Sequence, residues 1–237
     1  MWSGPRNIST AMMRAWENRP DTVVVDEPFY ACYLATTGIV HPMQREIMAS
    51  QSTDWQKVQQ QLQADLPSGH TIHYQKHMTH HMVVDVDPQW FGSLKHAFLI
   101  RHPAEVVASY AAKRETVTSD DIGYRQQKKL YDLATRSVQS ELPVIDARDV
   151  LMDPQHSLQQ LCDCLGVPFH KNMLSWPAGP RDSDGAWAPH WYGNVEKSTG
   201  FGPYQEKEQQ LNAAQQRVVD ECMPFYEQLY QRRLGAS

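Results

Sequence analysis

Four segments of this 237-residue chain concentrate residue types that hold or move charge. The first is Ser3-Gly4-Pro5-Arg6-Asn7-Ile8-Ser9-Thr10, at the start of a stretch that reads as a helix from Ile8 to Arg19 and stops at Pro20. Small residues and hydroxyls there can offer backbone N–H groups to an anion at the positive end of the helix dipole, and Arg6 adds a fixed charge. A simple N-capped helix would use the same residues. The segment is not a Walker A loop, because it has neither the second glycine nor the lysine of GxxxxGK[ST]. The second segment is Val25-Asp26-Glu27-Pro28-Phe29, where Glu27 ends an apolar strand as a general base or as a solvated acid. The third is Lys76-His77, after the strand-like Thr71–Gln75, which reads as site residues or as surface charge. The fourth is Leu99-Ile100-Arg101-His102-Pro103 followed by Ser109, eight residues after Arg101. About two helical turns separate those two, so both can grip one anion lying against that helix.

Histidine and cysteine patterns point away from metal. Five of the eleven histidines fall between His70 and His81. No carboxylate or cysteine lies near them at a ligand spacing, so they read as a strand end and loop, and no metal is expected. Cys32, Cys162, Cys164 and Cys222 form no CxxC pair. With no basic-then-apolar leader in Met1–Arg6, they are expected to be reduced thiols in a cytoplasmic protein. No apolar run approaches the roughly 18 residues of a membrane span, so no membrane association is expected. Lys plus Arg is 22 against 27 Asp plus Glu, a net charge of -5. That sign argues against general nucleic-acid binding and still permits a local basic pocket for a small anion.

The elements that must carry these residues alternate. Thr22–Asp26, Thr71–Gln75, Ala97–Ile100 and Pro143–Asp146 read as short strands, the first a β-branched run suited to burial on both faces. Helices are expected at Ser52–Leu66, Pro103–Lys113, Asp120–Ser140, from Asp153-Pro154 to a stop at Gly166, and from Gln205 to Leu234 with a kink at Pro224. Strands alternating with helices predict an α/β fold of three layers, with a central parallel sheet flanked by helices. Ligands in such folds bind at the carboxyl ends of the strands, where the four segments fall. Tyr30–Gln51 and the Gly-, Pro- and Trp-rich Pro177–Pro203 read as loops able to shape a pocket.

Taken in order, the segments resemble the sulfotransferase superfamily, enzymes that use 3′-phosphoadenosine-5′-phosphosulfate (PAPS), and the resemblance implies a single domain over residues 1–237 with a P-loop-like fold. Pro5-Arg6-Asn7-Ile8-Ser9-Thr10 is similar to the family's 5′-phosphosulfate loop, with Ile8 at the usual glycine. Arg101-His102-Pro103 with Ser109 resembles its 3′-phosphate motif, and Asp149–Phe169 its late helix segment. Only Met1-Trp2 stands before the loop, where the family has a strand. The resemblance implies that Arg6, with Asn7, Ser9 and Thr10, contacts the 5′-phosphosulfate, and that Arg101 and Ser109 hold the 3′-phosphate. Lys197-Ser198-Thr199-Gly200 is similar to a further 3′-phosphate loop, or is an ordinary solvated turn, so Lys197, Ser198 and Gly200 join the cofactor residues. Trp187 or Trp191 would stack on adenine or anchor the loop. Glu27 matches an acidic base and Lys76 a charge-neutralising lysine of the family, and His77 is the nearest counterpart of the histidine base used by cytosolic members.

The function implied is transfer of a sulfuryl group from PAPS to a hydroxyl or amine of a small-molecule or glycan acceptor. Three rivals share parts of the pattern: a catalytically impaired nucleotide-binding relative, a P-loop nucleotide-dependent kinase, and a zinc protein built on the histidines.

Overall fold

The computed structural model describes residues 1–235. Five parallel strands form the central sheet: β1 Trp2–Ser3, β2 Thr22–Asp26, β3 Ile72–Met78, β4 Phe98–Ile100 and β5 Val144–Asp146, in the order β2-β3-β1-β4-β5. Twelve helices surround them among the described residues: α1 Ser9–Glu17, α2 Tyr30–Thr37, α3 Gln44–Ser50, α4 Trp55–Leu62, α5 Pro88–Gly92, α6 Pro103–Ala111, α7 Ser119–Ile122, α8 Tyr124–Val138, α9 Ala147–Met152, α10 Pro154–Leu165, α11 Ala188–Trp191 and α12 Ala213–Tyr230. The α/β class and the parallel sheet expected from the sequence are therefore present.

The inner strands β1 and β4 and the strand β5 bury both faces and the edge strand β2 is half-buried, which is why the apolar runs are short and continuous rather than alternating. One face packs Phe29, Trp90, Phe91, Leu130, Tyr131 and Val219 around Trp2 and Phe98. The other packs Met12, Met13, Trp16, Leu158 and Leu161 around Tyr74, Leu99 and Ile145. Two apolar layers thus sandwich the sheet between helices.

Local signals set many of the boundaries. Asp54 caps α4 by accepting from Gln56 and Lys57, and Asp153 caps α10 ahead of Pro154. Gly166, at φ 63°, ends α10 in the left-handed conformation that glycine adopts without penalty. The long helix expected over Asp120–Ser140 is instead two, broken at Gly123 (φ 75°), where a Cβ would press 3.0 Å from Thr79 Oγ1. The final helix begins at Ala213, eight residues later than expected, where Asn212 and Gln215 form a reciprocal capping box, and it runs through Pro224. Tyr30–Gln51, expected as loop, holds α2 and α3.

β1 is short but central. Trp2 pairs with His77 on one side and Phe98 on the other. Gln127 of α8 ties the ends of β1 and β4 together, donating to Trp2 O at 3.2 Å and Leu99 O at 2.9 Å. Gly4 then turns the chain toward α1 so closely under Ile122 that a Cβ would lie 2.5 Å from its carbonyl oxygen. The sheet therefore delivers Ser3, Asp26, Met78, Ile100 and Asp146, its strand ends, to one side of the molecule.

Candidate functional site

On that side lies a cavity of about 480 Å³. Residues 5–11 form one wall, Arg101 and Ser109 a second, Glu27 and Lys76 the floor, and Tyr30, His41, His80, His81 and Tyr110 the far end. The segment between Pro177 and Pro203 closes it with Trp187, Trp191, Tyr192, Ser198 and Gly200. Ten of the predicted site residues thus line one space: Arg6, Asn7, Ser9, Thr10, Glu27, Lys76, Arg101, Ser109, Ser198 and Gly200; Trp187 and Trp191 reach it as well.

The loop before α1 is shaped by backbone conformation. Arg6 (φ 61°) and Ile8 (φ 55°) are left-handed, a conformation a β-branched residue adopts only under strain. Ile8 makes no side-chain cap, and the first intrahelical bond runs from Met12 N to Ile8 O. The amides of Ser9, Thr10 and Ala11 are therefore left to face an anion. Asn7 is fully buried, its Nδ2 reaching Leu99 O at 3.4 Å, so its side chain pins the loop to β4.

The two arginines meet. Arg6 Nε donates to Ser109 Oγ at 2.9 Å, and Arg101 Nη1 donates to Arg6 O at 3.0 Å. Glu105 on α6 aligns Arg101 from behind at 2.7 Å. Burial and the neighbouring Arg101 charge lower the pKa of Arg6, the signature of a cation in search of an anion. Its terminal nitrogens have no protein partner among the described residues.

The floor follows from strand register. Asp26 pairs with Lys76 across β2 and β3, so acid and lysine stand side by side. Lys76 Nζ donates to Asp26 Oδ1, Glu27 Oε1 and Tyr192 Oη, each at 2.7 Å. All three of its donors are thus engaged within the protein, a difference from the free, charge-neutralising lysine that the resemblance implies. Glu27, itself at φ 42°, has its pKa raised to about 7. Burial is the main cause, opposed by Lys76 and reinforced by Asp26. That places its proton affinity where a base operates.

Two predicted residues lie elsewhere. His77 follows Lys76 on β3, and successive strand residues face opposite ways. Its ring stacks on Trp2 at 4.3 Å and on Phe29 at 5.8 Å, on the other face of the sheet, and Nε2 meets Gln75 Oε1 at 3.1 Å. The structure therefore does not bring it to the cavity as a base. Lys197 is exposed and outside the lining, while the Ser198 hydroxyl donates to Val195 O at 2.7 Å and accepts from Trp176 Nε1 at 3.2 Å. The histidine run is split the same way, with His80 and His81 at the cavity and His77 away from it.

Sequence reasoning missed Tyr192 as a cavity residue and Asp26, outside the lining, as the partner of Lys76, while the histidine run, read as a strand end and loop, brings His80 and His81 to the cavity. His81 Nε2 stands 4.0 Å from Glu27 Oε2, its ring stacked on Tyr30 at 4.4 Å and Tyr33 at 4.9 Å. Burial holds His81 well below its ordinary pKa, lowers His80 to about 3 and His41 to about 4, and so keeps that end uncharged. The β-period of two in Ile72–Met78 already signals that Lys76 and His77 part ways; nothing periodic marks Tyr192.

Comparison with known proteins gives the family and the fold. The chain is 32% identical over 226 residues to two Arabidopsis thaliana proteins named branched-chain-amino-acid aminotransferase-like protein 2 and protein 1, matching 95% of this chain. It spans only 40% of the length of each of those relatives. Among solved structures, the sulfotransferase domain from the curacin biosynthetic pathway superposes with a TM-score of 0.53 at 15% identity, over 94% of this chain and 95% of that one, a likeness of fold. The family whose model is described as a sulfotransferase domain matches residues 1–233, nearly the whole chain, and the protein belongs to that sulfotransferase-domain family.

Proposed function

We propose that the protein transfers a sulfuryl group from PAPS to a hydroxyl or amine of a small-molecule or glycan acceptor. The observation that carries this reading is the convergence of Arg6 and Arg101 on one cavity whose floor is Glu27. The residues present fit a doubly charged nucleotide. Unpaired Arg6 nitrogens and the uncapped amides at the start of α1 suit a 5′-phosphosulfate. Arg101, aligned by Glu105, and Ser109 suit the 3′-phosphate. PAPS supplies the activated sulfuryl group and a bisphosphate leaving group.

The chain's own residues provide position and charge. Glu27 takes the acceptor proton as the acceptor atom bonds to sulfur and the bridging S–O bond to the bisphosphate breaks. Arg6 neutralises charge growing on the leaving oxygen. The uncharged aromatic end formed by Tyr30, His41, His80, His81 and Trp187 receives the acceptor. One observation favours a second reading, a silent bisphosphate-binding relative: every donor of Lys76 is already engaged.

Sulfate transfer from radiolabelled PAPS to a panel of alcohols, sugars and amines separates the two. The proposal expects a labelled product, and a loss of about 10² or more in turnover in Arg6→Ala, the scale of one preorganised donor. Unchanged transfer in Arg6→Ala contradicts the assignment, and bisphosphate binding without any labelled product favours the silent relative.

A further inference from the structure

Two adjacent carboxylates, Asp26 and Glu27, share one lysine, and the chemistry proposed above needs to know which of them exchanges a proton. Their surroundings differ sharply. Asp26 accepts from Lys76 Nζ at 2.7 Å, from Tyr192 Oη at 2.6 Å and from the Gly185 amide at 3.2 Å. Among the described residues, Glu27 accepts from Lys76 Nζ alone, at 2.7 Å. Its second oxygen faces only His81 Nε2, at 4.0 Å, beyond hydrogen-bond reach. Hydrogen bonds donated to a carboxylate favour its ionised form, so three donors against one divide the pair.

We propose that Tyr192 is a positioning residue that fixes Asp26 as the standing anionic partner of Lys76 and leaves Glu27 as the carboxyl that exchanges its proton with the acceptor.

Tyr192 is well placed for this. Its hydroxyl gives its one proton to Asp26 and takes hydrogen bonds from Lys76 Nζ at 2.7 Å and Trp187 Nε1 at 2.9 Å, so the direction of that proton is dictated. The ring lies 5.1 Å from the Lys76 ammonium. Burial and the adjacent Asp26 raise the tyrosine pKa far above its ordinary value, so the hydroxyl stays a donor throughout the working range. The other groups facing Glu27 are Asp26 on β2, Lys76 on β3, Tyr30 on α2 and His81 in the turn after β3. Tyr30 and His81 are held neutral by burial, which leaves the contacts of Asp26 to Tyr192 and to the Gly185 amide, the former shorter at 2.6 Å, as what breaks the symmetry. Because Tyr192 belongs to the same covering segment as Trp187 and Trp191, seating of that segment over the cavity and the proton affinity of Glu27 are coupled.

This inference rests on Glu27 being the base, yet its test needs no turnover. The full chain is labelled with carboxyl-¹³C glutamate and aspartate and titrated by NMR, with Glu27→Gln and Asp26→Asn assigning the two signals. In the unmodified protein the Glu27 carbon is expected to move with a midpoint near 7. In Tyr192→Phe, Asp26 loses a donor and competes for the proton, and the Glu27 midpoint is expected to fall by about one pH unit or more. A neutral-range titration carried by the Asp26 carbon in the unmodified protein overturns the proposal, as does an unmoved Glu27 midpoint in a folded Tyr192→Phe. Should that variant not fold, the unmodified protein decides alone. A Glu27 midpoint near 7 without sulfate transfer from PAPS would sink the functional reading and leave this one standing, and the converse pair of results would do the reverse.

Discussion

Glu27, Arg6 and Ile8 are three of the five non-glycine residues with positive φ among the described residues, and all three line the cavity. Strain of this kind persists only where the surroundings over-determine it, and each such residue costs on the order of 1–3 kcal/mol. At Glu27 the conformation is fixed by its amide bonding to Lys76 O at 2.9 Å and its carbonyl accepting from Gln51 Nε2 at 3.1 Å. The side chain is thereby aimed along the floor rather than out to water. A base must be ionised to accept a proton, and burial has raised the Glu27 pKa to about 7. The rate of transfer is therefore expected to rise with pH and level off above 7, falling about tenfold for each unit below it. A pH–rate profile measured with saturating donor checks this, and a profile flat from pH 5 to 8 would remove Glu27 from the role.

At the scale of elements, α1 does two things at once. Its N-terminus presents amides to the cavity, and its outer face anchors the covering segment. Arg14, almost fully buried, pairs with Asp184 at 2.7 Å and with Glu17 at 3.4 Å. Asn18, just past α1, donates to Asn172 O and Ser175 O at 2.8 and 2.6 Å. Removing one partner of a buried pair leaves an uncompensated charge, so Asp184→Ala is expected to destabilise the fold by about 3 kcal/mol in urea unfolding. A change below about 0.5 kcal/mol, the range of an ordinary surface substitution, would show that the segment is held by other means. How much of this was legible in the sequence depends on range. β2 to β5 were legible because their apolar runs are local, and the loop before α1 because its small residues and arginine are contiguous, whereas the two residues of β1 are too few to form such a run. The break at Gly123 had a signal, the glycine itself, that the helical periodicity around it outweighed. α2 was hidden because Tyr30-Ala31-Cys32-Tyr33-Leu34 is apolar all round and shows no helical face, and α3 because its seven residues bury Ile47 alone. The roles of Asp26, Tyr192 and Asp184 depend on contacts across more than a hundred residues, and no local pattern encodes them.

For the molecule as a whole, a chain of net charge -5 concentrates cations where its strands end. Arg6 comes from the start of the chain and Arg101 from its middle, and the crossover that places β1 between β3 and β4 brings them within one hydrogen bond of each other. Both arginines of the lining stand at the loop end of the cavity and neutral aromatic and histidine rings at the other, with the Arg114 charge acting on Tyr30 and His41 from outside the lining. No helix among the described residues is long and apolar enough to cross a membrane. The central claim is that both arginines close on one doubly phosphorylated adenosine. Titration calorimetry with adenosine 3′,5′-bisphosphate tests it most directly, using the unmodified protein, Arg6→Ala and Arg101→Ala. The account predicts one bisphosphate bound per chain, binding weakened by about tenfold or more in each variant, as expected for the loss of one charge-assisted contact of about 1.5–3 kcal/mol. No heat of binding to the unmodified protein, or an affinity indifferent to both substitutions, would contradict it.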